Sequence, residues 1–224
     1  MKTIDVIGGT DDPSEGPLID DVRAALEPLA DPGRAGPMSA YMRGQFPFLG
    51  VQAGPRRAAT RAALRARGQT PDWPWVHALW AQPEREFQYV AADHLARARL
   101  SAADLPQLRR IITTKSWWDT VDMLAKPIGR AAAPETMREW AVEENPWIRR
   151  VAILHQLGRR ESTDADLLAE IILANLGGGG FFIDKAIGWA LRDYARTDPD
   201  WVRSFVGKHE LAPLARREAL KHFR

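Results

Sequence analysis

Helical periodicity runs through nearly the whole chain, and it constrains the fold more than any other feature. Apolar residues return at helical spacing in both halves of the sequence, at Ile19, Val22, Leu26 and Leu29 and again at Ile183, Ile187, Ala190 and Tyr194. No stretch has the convincing period-2 alternation of a half-buried strand. The sequence therefore predicts an all-α fold.

Helix starts are marked by a cap residue followed by proline, whose missing N–H costs nothing in the first turn. Gly54-Pro55, Asn145-Pro146 and Asp198-Pro199 each predict such a start, and the run from Gly177 to Gly180 predicts a compact turn. The predicted segments are short, about 10 to 18 residues each. Many short helices with short connections favour stacked antiparallel pairs, as in an α-solenoid.

The chain has 224 residues, enough to bury one sizeable core. We expect residues 1–16 to form a loose acidic tail and residues 17–224 to form one domain. There is no cysteine, which excludes a disulfide scaffold. No stretch has the roughly 20 apolar residues of a membrane span, and the N-terminus lacks the cations and apolar run of a signal peptide. We therefore expect a cytoplasmic protein with no membrane partner.

The charge is unevenly distributed. Residues 1–31 hold two Lys or Arg and eight Asp or Glu, a net −6, so a total of +2 leaves +8 for residues 32–224. A body this basic suits a polyanion such as nucleic acid. The nine tryptophans are also unusual, because aromatic side chains among cations are one means of holding nucleotides.

The segment 113–124 carries the most chemical information. Ser116 and Asp119 fit a capping box, which would start a helix there. On that helix Trp117, Val121, Leu124 and Ile128 form one stripe, and Lys115, Trp118, Asp122 and Lys126 form another. The first stripe predicts core. The second is either an ordinary ion pair between Asp122 and Lys126 beside a half-buried Trp118, or an acid held against an aromatic wall in a basic groove.

Two further tracts combine tryptophan with cations. In the first, Trp147, Val151 and Leu154 are predicted core, while Arg149 and Arg150 either clamp a phosphate backbone or lie on a solvated face. In the second, Trp189 shares a helical face with Lys185 and Arg192, which indicates either a groove lining or packing on a neighbouring helix. Gly188 would allow a helix or a ligand to approach closely.

Several reaction classes lack their motifs. The histidines His77, His94, His155, His209 and His222 have no metal-ligand spacing. No glycine loop is followed by Lys-Ser or Lys-Thr, and no serine lies in a nucleophile elbow. We therefore expect no metal and no cofactor.

Taken together, these tracts resemble the AlkD family of DNA alkylation repair glycosylases, which are built from HEAT-like helical repeats. The resemblance covers most of the chain, through the segments 37–42, 46–51, 84–89, 115–122, 147–154, 181–192 and 210–221. It implies a superhelix of HEAT-like helix pairs with a concave basic groove. It also implies excision of cationic alkylated purines from double-stranded DNA by a monomer.

The resemblance assigns roles to individual residues. Asp122 would be catalytic, and the residues that contact the nucleotide would be Trp118, Trp189, Tyr41 and Arg150. Phosphate contacts would come from Lys115, Lys185, Arg192, Arg216 and Arg217. Two features depart from the family pattern, namely the length of the acidic N-terminal segment and the glycine run 177–180.

The chemistry fits these residue types. A purine alkylated at a ring nitrogen is already a cation and can leave without a general acid, while positive charge builds up on the sugar. A fixed carboxylate would stabilise that charge and orient water. The alternatives are a non-catalytic helical scaffold that binds nucleic acid, which does not explain an acid in a basic groove, and a protein-binding solenoid without a nucleic-acid partner.

Overall fold

The regular structure of this computed structural model is entirely helical over the residues that it describes, 17–178 and 180–223. This confirms the predicted all-α class. None of the helices in that part of the chain is long and apolar enough to cross a membrane. The predicted acidic tail, residues 1–16, lies outside the described residues.

Fourteen α-helices fall within the described part of the chain, together with short 3-10 helices. The α-helices are α1 (Asp20–Leu26), α2 (Pro32–Tyr41), α3 (Ala53–Ala59), α4 (Arg61–Ala66), α5 (Trp73–Ala81), α6 (Arg85–Arg97), α7 (Leu105–Thr113), α8 (Trp118–Ala131), α9 (Pro134–Ala141), α10 (Pro146–Leu154), α11 (Ala165–Leu173), α12 (Gly180–Tyr194), α13 (Pro199–Lys208) and α14 (Pro213–Ala219).

The predicted helix starts follow local cap chemistry. Asn145 caps α10 by accepting from the Trp147 amide at 2.9 Å, and Asp198 caps α13 by accepting from the Trp201 amide at 2.9 Å. The start predicted at Gly54-Pro55 lies slightly too late, because α3 begins at Ala53. Of the turn expected over Gly177–Gly180, Gly177 and Gly178 lie in a turn, Gly180 is the first residue of α12, and Gly179 lies outside the described residues.

The described residues divide into two compact units. Unit 1 contains residues 17–68 and 72–91, and unit 2 contains residues 69–71 and 92–223. Helix α6 contributes to both units. The expectation of one domain over residues 17–224 stays a prediction.

The core of unit 1 begins with the first predicted apolar face. Ile19, Val22 and Leu26 are fully buried, whereas Leu29 is 42% exposed. The prediction for Leu29 was wrong because α1 ends at Leu26 and the chain continues as a 3-10 helix containing Pro28. A 3-10 helix has three residues per turn, so Leu29 rotates away from the buried face.

Unit 2 is built from two alternating layers of helices. In one layer α8 packs on α10, α10 on α12 and α12 on α14, while α9 and α11 pack on each other in the second layer. The predicted face of α12 is buried at Ile183, Ile187 and Ala190. This alternation is the packing of an α-solenoid, as predicted. The predicted concave basic groove stays a prediction.

Candidate active site

The start of α8 differs from the predicted capping box. The N-cap is Trp117, and the Ser116 hydroxyl donates backwards to the Ile112 carbonyl at 2.6 Å. Asp119 therefore lies in the first turn, where its carboxylate accepts from the Thr120 amide at 2.8 Å. The helix begins too late for Ser116 to cap it. The acid in the first turn still complements the helix dipole.

The turn before α8 contains a backbone conformation that lysine rarely adopts. Lys115 has a φ of +49°, in the left-handed region. A residue other than glycine in this region costs on the order of 1 kcal/mol or more. Such outliers concentrate at functional sites, so the turn is consistent with the proposed role of this tract.

The Asp122 carboxylate is held by an arginine of the next helix in its layer. Arg150 Nε donates to Asp122 Oδ1 at 2.7 Å, and Arg150 Nη2 donates to Asp122 Oδ2 at 2.8 Å. The side chains of Asp122 and Arg150 are 12% and 5% exposed. The alternative ion pair between Asp122 and Lys126 is wrong, because the carboxylate turns toward α10 and Lys126 is exposed.

The same guanidinium also reaches a third helix. Arg150 Nη1 donates to the backbone carbonyl of Phe182 in the first turns of α12. Arg150 thus binds to groups on α8 and α12 from its own position on α10. The structure places Arg150 next to Asp122. Its hydrogen bonds are with protein groups, and two of them hold the Asp122 carboxylate in place.

Burial and pairing act in opposite directions on Asp122. Burial raises the pKa of the Asp122 carboxyl above its ordinary value, and the nearby Asp119 charge adds to that rise. The hydrogen bonds and the positive charge of Arg150 act to lower the same pKa, and burial is the larger effect. The two-pronged contact needs an acceptor on each oxygen, which is the geometry of an ionised carboxylate.

An aromatic cluster lies at the Phe182 end of this arrangement. The ring centroids of Trp117, Trp147 and Phe182 are 5.0 to 5.7 Å apart, and Phe181 packs edge-on against Phe182 at 5.3 Å. Trp117 and Trp147 were predicted to be core, and both are half-buried. Sequence reasoning missed the role of Phe182; the Phe-Phe pair at the start of α12 was the available signal.

The two tryptophans assigned to the nucleotide are both accessible. Trp118 is the first residue of α8, one turn before Asp122, and is half-buried. Trp189 is 36% exposed, so the alternative of core packing does not hold for its side chain. Trp189 follows Phe182 by seven residues on the same face of α12, which is about 10 Å along the helix.

Gly188 accounts for the close packing of α12. A Cβ atom at Gly188 would lie 2.5 Å from Glu218 Cβ and 2.8 Å from the Ala215 carbonyl oxygen, both on α14. The glycine therefore admits a neighbouring helix, one of the two possibilities raised by the sequence.

Two of the predicted phosphate contacts share one carboxylate. Lys185 Nζ and Arg192 Nη1 donate to the two oxygens of Glu218, at 2.9 and 2.5 Å. The hydrogen bond from Lys185 is the main reason why the pKa of Glu218 is lowered. Sequence reasoning missed Glu218, which comes from α14 and is close to these cations only in the folded chain.

The remaining predicted contacts are separate features of the surface. Arg216 Nη1 donates to the Val206 carbonyl at 2.9 Å, while Arg217 is exposed. Tyr41 ends α2 in unit 1 and is 72% exposed. Among the described residues there is no group of three or more His, Cys, Asp or Glu that could hold a metal ion.

The fold and the site thus define an all-α protein of stacked helices with a buried Asp–Arg pair one helical turn from an accessible tryptophan. The sequence profile of the DNA alkylation repair enzyme family matches residues 22–223. The solved structure described as "Predicted DNA alkylation repair enzyme from Enterococcus faecalis" is 36% identical and superposes with a TM-score of 0.79, covering 86% of this chain and 96% of that one. No curated protein matches the sequence. The chain belongs to the DNA alkylation repair enzyme family, which supports a role in the repair of alkylated DNA.

Proposed function

We propose that this protein is a monofunctional DNA glycosylase that hydrolyses the N-glycosidic bond of cationic alkylated purines, such as N7-alkylguanine and N3-alkyladenine, in duplex DNA. One observation carries the proposal: the Asp122 carboxylate is fixed by both oxygens to Arg150, one helical turn from Trp118. A carboxylate repels DNA phosphates, so its presence at a DNA-binding site requires a purpose other than binding.

That purpose is to stabilise positive charge on the sugar. The alkylated base leaves as a neutral molecule, so the reaction needs no acid to protonate it. As the glycosidic bond stretches, the deoxyribose acquires oxocarbenium character. A fixed carboxylate next to the sugar stabilises this charge and orients the attacking water. A preorganised group of this kind contributes about 3 to 4 kcal/mol, or 100-fold to 1000-fold in rate.

Arg150 orients Asp122 without occupying all of its acceptor capacity. An ionised carboxylate has about four lone-pair positions, and the contact with Arg150 uses two of them. On this proposal the remaining positions are available to accept from the attacking water. We therefore assign Arg150 as a positioning residue, with any contact to the nucleotide secondary to that role.

The tryptophans supply surfaces for a cationic substrate. Trp118 and Trp189 would contact the sugar and the charged nucleotide, with about 0.5 to 2 kcal/mol for each cation–π contact. Tyr41 of unit 1 stays a separate prediction, which the family resemblance supports. These aromatic faces favour a substrate that carries positive charge over an undamaged nucleotide.

The proposed phosphate contacts require cations that still have unused hydrogen-bond donors. Lys185 and Arg192 each use one donor on Glu218, and a lysine has three donors and an arginine five. Lys115, Arg216 and Arg217 complete the proposed set. On this proposal the protein acts as a monomer on nucleoid DNA in the cytoplasm.

The test is the release of free base from duplex DNA that contains N7-methylguanine, under single-turnover conditions. We expect Asp122→Asn to slow release by 100-fold to 1000-fold, while the affinity for the duplex stays the same or rises. Asp119→Asn is the matched control, because it removes a buried carboxylate from the same helix and should keep most of the activity. Thermal unfolding checks that each variant is folded.

Two outcomes contradict the assignment. Equal loss of base release and of duplex binding in Asp122→Asn would remove Asp122 from the chemistry. If the wild type binds the duplex but releases no base, the protein is a non-catalytic scaffold.

A further inference from the structure

One exposed cation of α8 has no role in the proposed site as described so far. Lys126 follows Asp122 by one helical turn, about 6 Å along the axis. The Asp122 carboxylate, which could pair with it, is bound by both oxygens to Arg150. Within the described part of the chain, no hydrogen bond or ion pair includes the exposed Lys126 ammonium. A cation with three unused donors therefore lies one turn from the candidate catalytic acid.

The Lys126 ammonium lies over the turn that follows α10. A Cβ atom at Gly158 would lie 3.1 Å from Lys126 Nζ and 3.9 Å from Lys126 Cε. Gly158 also has a φ of +78°, in the left-handed region that favours glycine. The missing side chain leaves room for the lysine, so the Lys126 side chain extends from α8 toward the end of α10.

This turn is fixed to the helices on both sides. The Gly158 amide donates to Asp193 Oδ2 of α12 at 2.6 Å, and Arg159 Nη2 donates to the Gly129 carbonyl of α8 at 2.5 Å. A Cβ atom at Gly129 would lie 2.5 Å from the His155 carbonyl oxygen, so α8 and the end of α10 are in close contact. The surface beneath Lys126 is therefore held by contacts with both neighbouring helices.

Two further cations lie beside Lys126. Arg159 follows Gly158 in the chain, and Arg130 is exposed in the last turn of α8. Burial lowers the pKa of Arg159; the negative charge of Asp164 acts to raise it, and the positive charge of Arg130 lowers it further. The charges of Arg130 and Arg159 therefore interact. We name Lys126, Arg130 and Arg159 the basic cluster.

Two acids beside the basic cluster are engaged by backbone amides. Asp193 accepts from the Gly158 amide, and Asp164 caps α11 by accepting from the Leu167 amide at 2.9 Å. Among the described residues, no ion pair joins either acid to the basic cluster. Three neighbouring cations without a paired carboxylate repel one another, and an anionic ligand relieves that repulsion.

The position of the cluster indicates which anion it receives. Trp118, Asp122 and Lys126 follow one another at intervals of four residues on α8, all before Pro127 inside the helix. A nucleotide joins its sugar to its phosphates through a few bonds, so a deoxyribose beside Asp122 brings a phosphate within reach of the Lys126 side chain. Lysine binds phosphate as a point charge, and a phosphate contact fixes position without reading the base.

We propose that Lys126 binds the DNA backbone phosphate attached to the sugar that Asp122 stabilises, with Arg130 and Arg159 adding positive charge at the same place. The inference rests on the proposed function and deepens it, because it assigns a phosphate-binding residue within the same site. Lys126 holds the nucleotide in register with Asp122 and takes no part in the bond-breaking step.

The first experiment measures the affinity of the full chain for an undamaged duplex between about 50 and about 200 mM salt. The loss of one phosphate contact makes the slope of log K against log salt shallower by about 0.9. Over this range the wild type should lose about 3.5-fold more affinity than Lys126→Gln. Lys126→Arg keeps the charge and should retain the wild-type slope.

The matched control removes one lysine charge elsewhere. Lys208 is exposed on α13, outside the layer formed by α8, α10, α12 and α14. Lys208→Gln has the same change in net charge as Lys126→Gln, and it should keep the wild-type slope. An equal effect of the two variants would attribute the change to net charge and overturn the proposal.

The second experiment locates the phosphate. A neutral methylphosphonate replaces one phosphate at a time around N7-methylguanine, and Asp122→Asn serves as the background in which excision is blocked. One of the two phosphates attached to the lesion sugar should weaken binding when it is neutralised. The same replacement should have no further effect once Lys126→Gln is added, because the two changes remove one contact. Coupling of Lys126 to a distant phosphate, or to none, would overturn the placement.

The readouts separate this inference from the glycosylase assignment. Binding to an undamaged duplex requires no excision, so a shallower slope in Lys126→Gln supports the contact even if the protein releases no base. In an active glycosylase, saturating Lys126→Gln should release N7-methylguanine at the wild-type rate, because the contact is equally strong before and during the reaction. A slope equal to that of the wild type overturns the contact and leaves the assignment of Asp122 untouched.

Discussion

The buried histidine of α10 predicts a specific loss of stability in acid. His155 follows the last residue of the helix, is 3% exposed, and its Nδ1 lies 2.6 Å from the Ala152 carbonyl oxygen. Burial lowers the pKa of His155 from 6.5 to about 4, and the charge of Arg159 adds to the decrease. The neutral ring therefore donates through Nδ1, and protonation is unfavourable only in the folded state.

The sign and size of the effect follow from these two pKa values. Because the folded pKa is lower than the unfolded one, the stabilisation is fully present above pH 6.5 and is lost as the pH falls toward 4. Between pH 7 and pH 4.5 the loss in the free energy of unfolding is about 2 to 3 kcal/mol. His155 is buried, so solvent screening removes little of this amount.

The assay is urea unfolding followed by tryptophan fluorescence at pH 7 and pH 4.5. His155→Asn is the reference variant, because its side-chain amide can replace the Nδ1–H donor and does not titrate. Other groups titrate in both proteins, so the quantity of interest is the difference between them. The wild type should lose about 2 to 3 kcal/mol more than the variant. Equal losses in the two proteins would refute the reasoning.

Three further predictions follow from the described contacts. As the pH is lowered, the rate of excision should begin to fall at a pH higher than the ordinary pKa of an aspartate, because burial raises the pKa of Asp122 and the reaction needs its ionised form. Single-turnover rates that stay constant as the pH falls to that ordinary pKa would contradict this. Gly188→Ala should destabilise the protein by about 1 to 3 kcal/mol, because the new Cβ would overlap Glu218 Cβ and the Ala215 carbonyl oxygen on α14; a rise in Tm, as helix propensity alone would give, would show that the helices can separate. Glu86→Gln should cost about 2 to 3 kcal/mol in urea unfolding, since three backbone amides lose a charged acceptor, whereas Glu161→Gln on the exposed surface should change little.

The sequence predicted the parts of the fold that depend on local chemistry. Asn145 and Asp198 each cap the helix that begins at the following proline, and both contacts lie within three residues. The errors also have local causes. Leu29 leaves the buried face because a 3-10 helix follows α1, and Ser116 bonds to the preceding helix and does not cap α8.

The sequence named Asp122 and Arg150 as candidates but could not predict the contact between them. Asp122 was identified from its spacing to Trp118, while its partner Arg150 is 28 residues away and on another helix. Glu218 lies 26 residues from Arg192 and could not be paired with it from the sequence. Such contacts depend on which helices stack, and helical periodicity gives the buried face of a helix without its neighbour.

The guanidinium of Arg150 affects the order in which the helices of unit 2 unfold. Solenoids tend to unfold repeat by repeat from an end, since each helix pair contacts only its neighbours. A single buried cation that bonds to α8 and α12 from α10 couples the loss of these helices, because removal of either leaves a charged group unsatisfied. Fraying from the C-terminus can therefore release α14 and α13 first, whereas the departure of α12 would remove the carbonyl acceptor of Arg150 Nη1. Amide hydrogen exchange would then report α8, α10 and α12 as one cooperative unit.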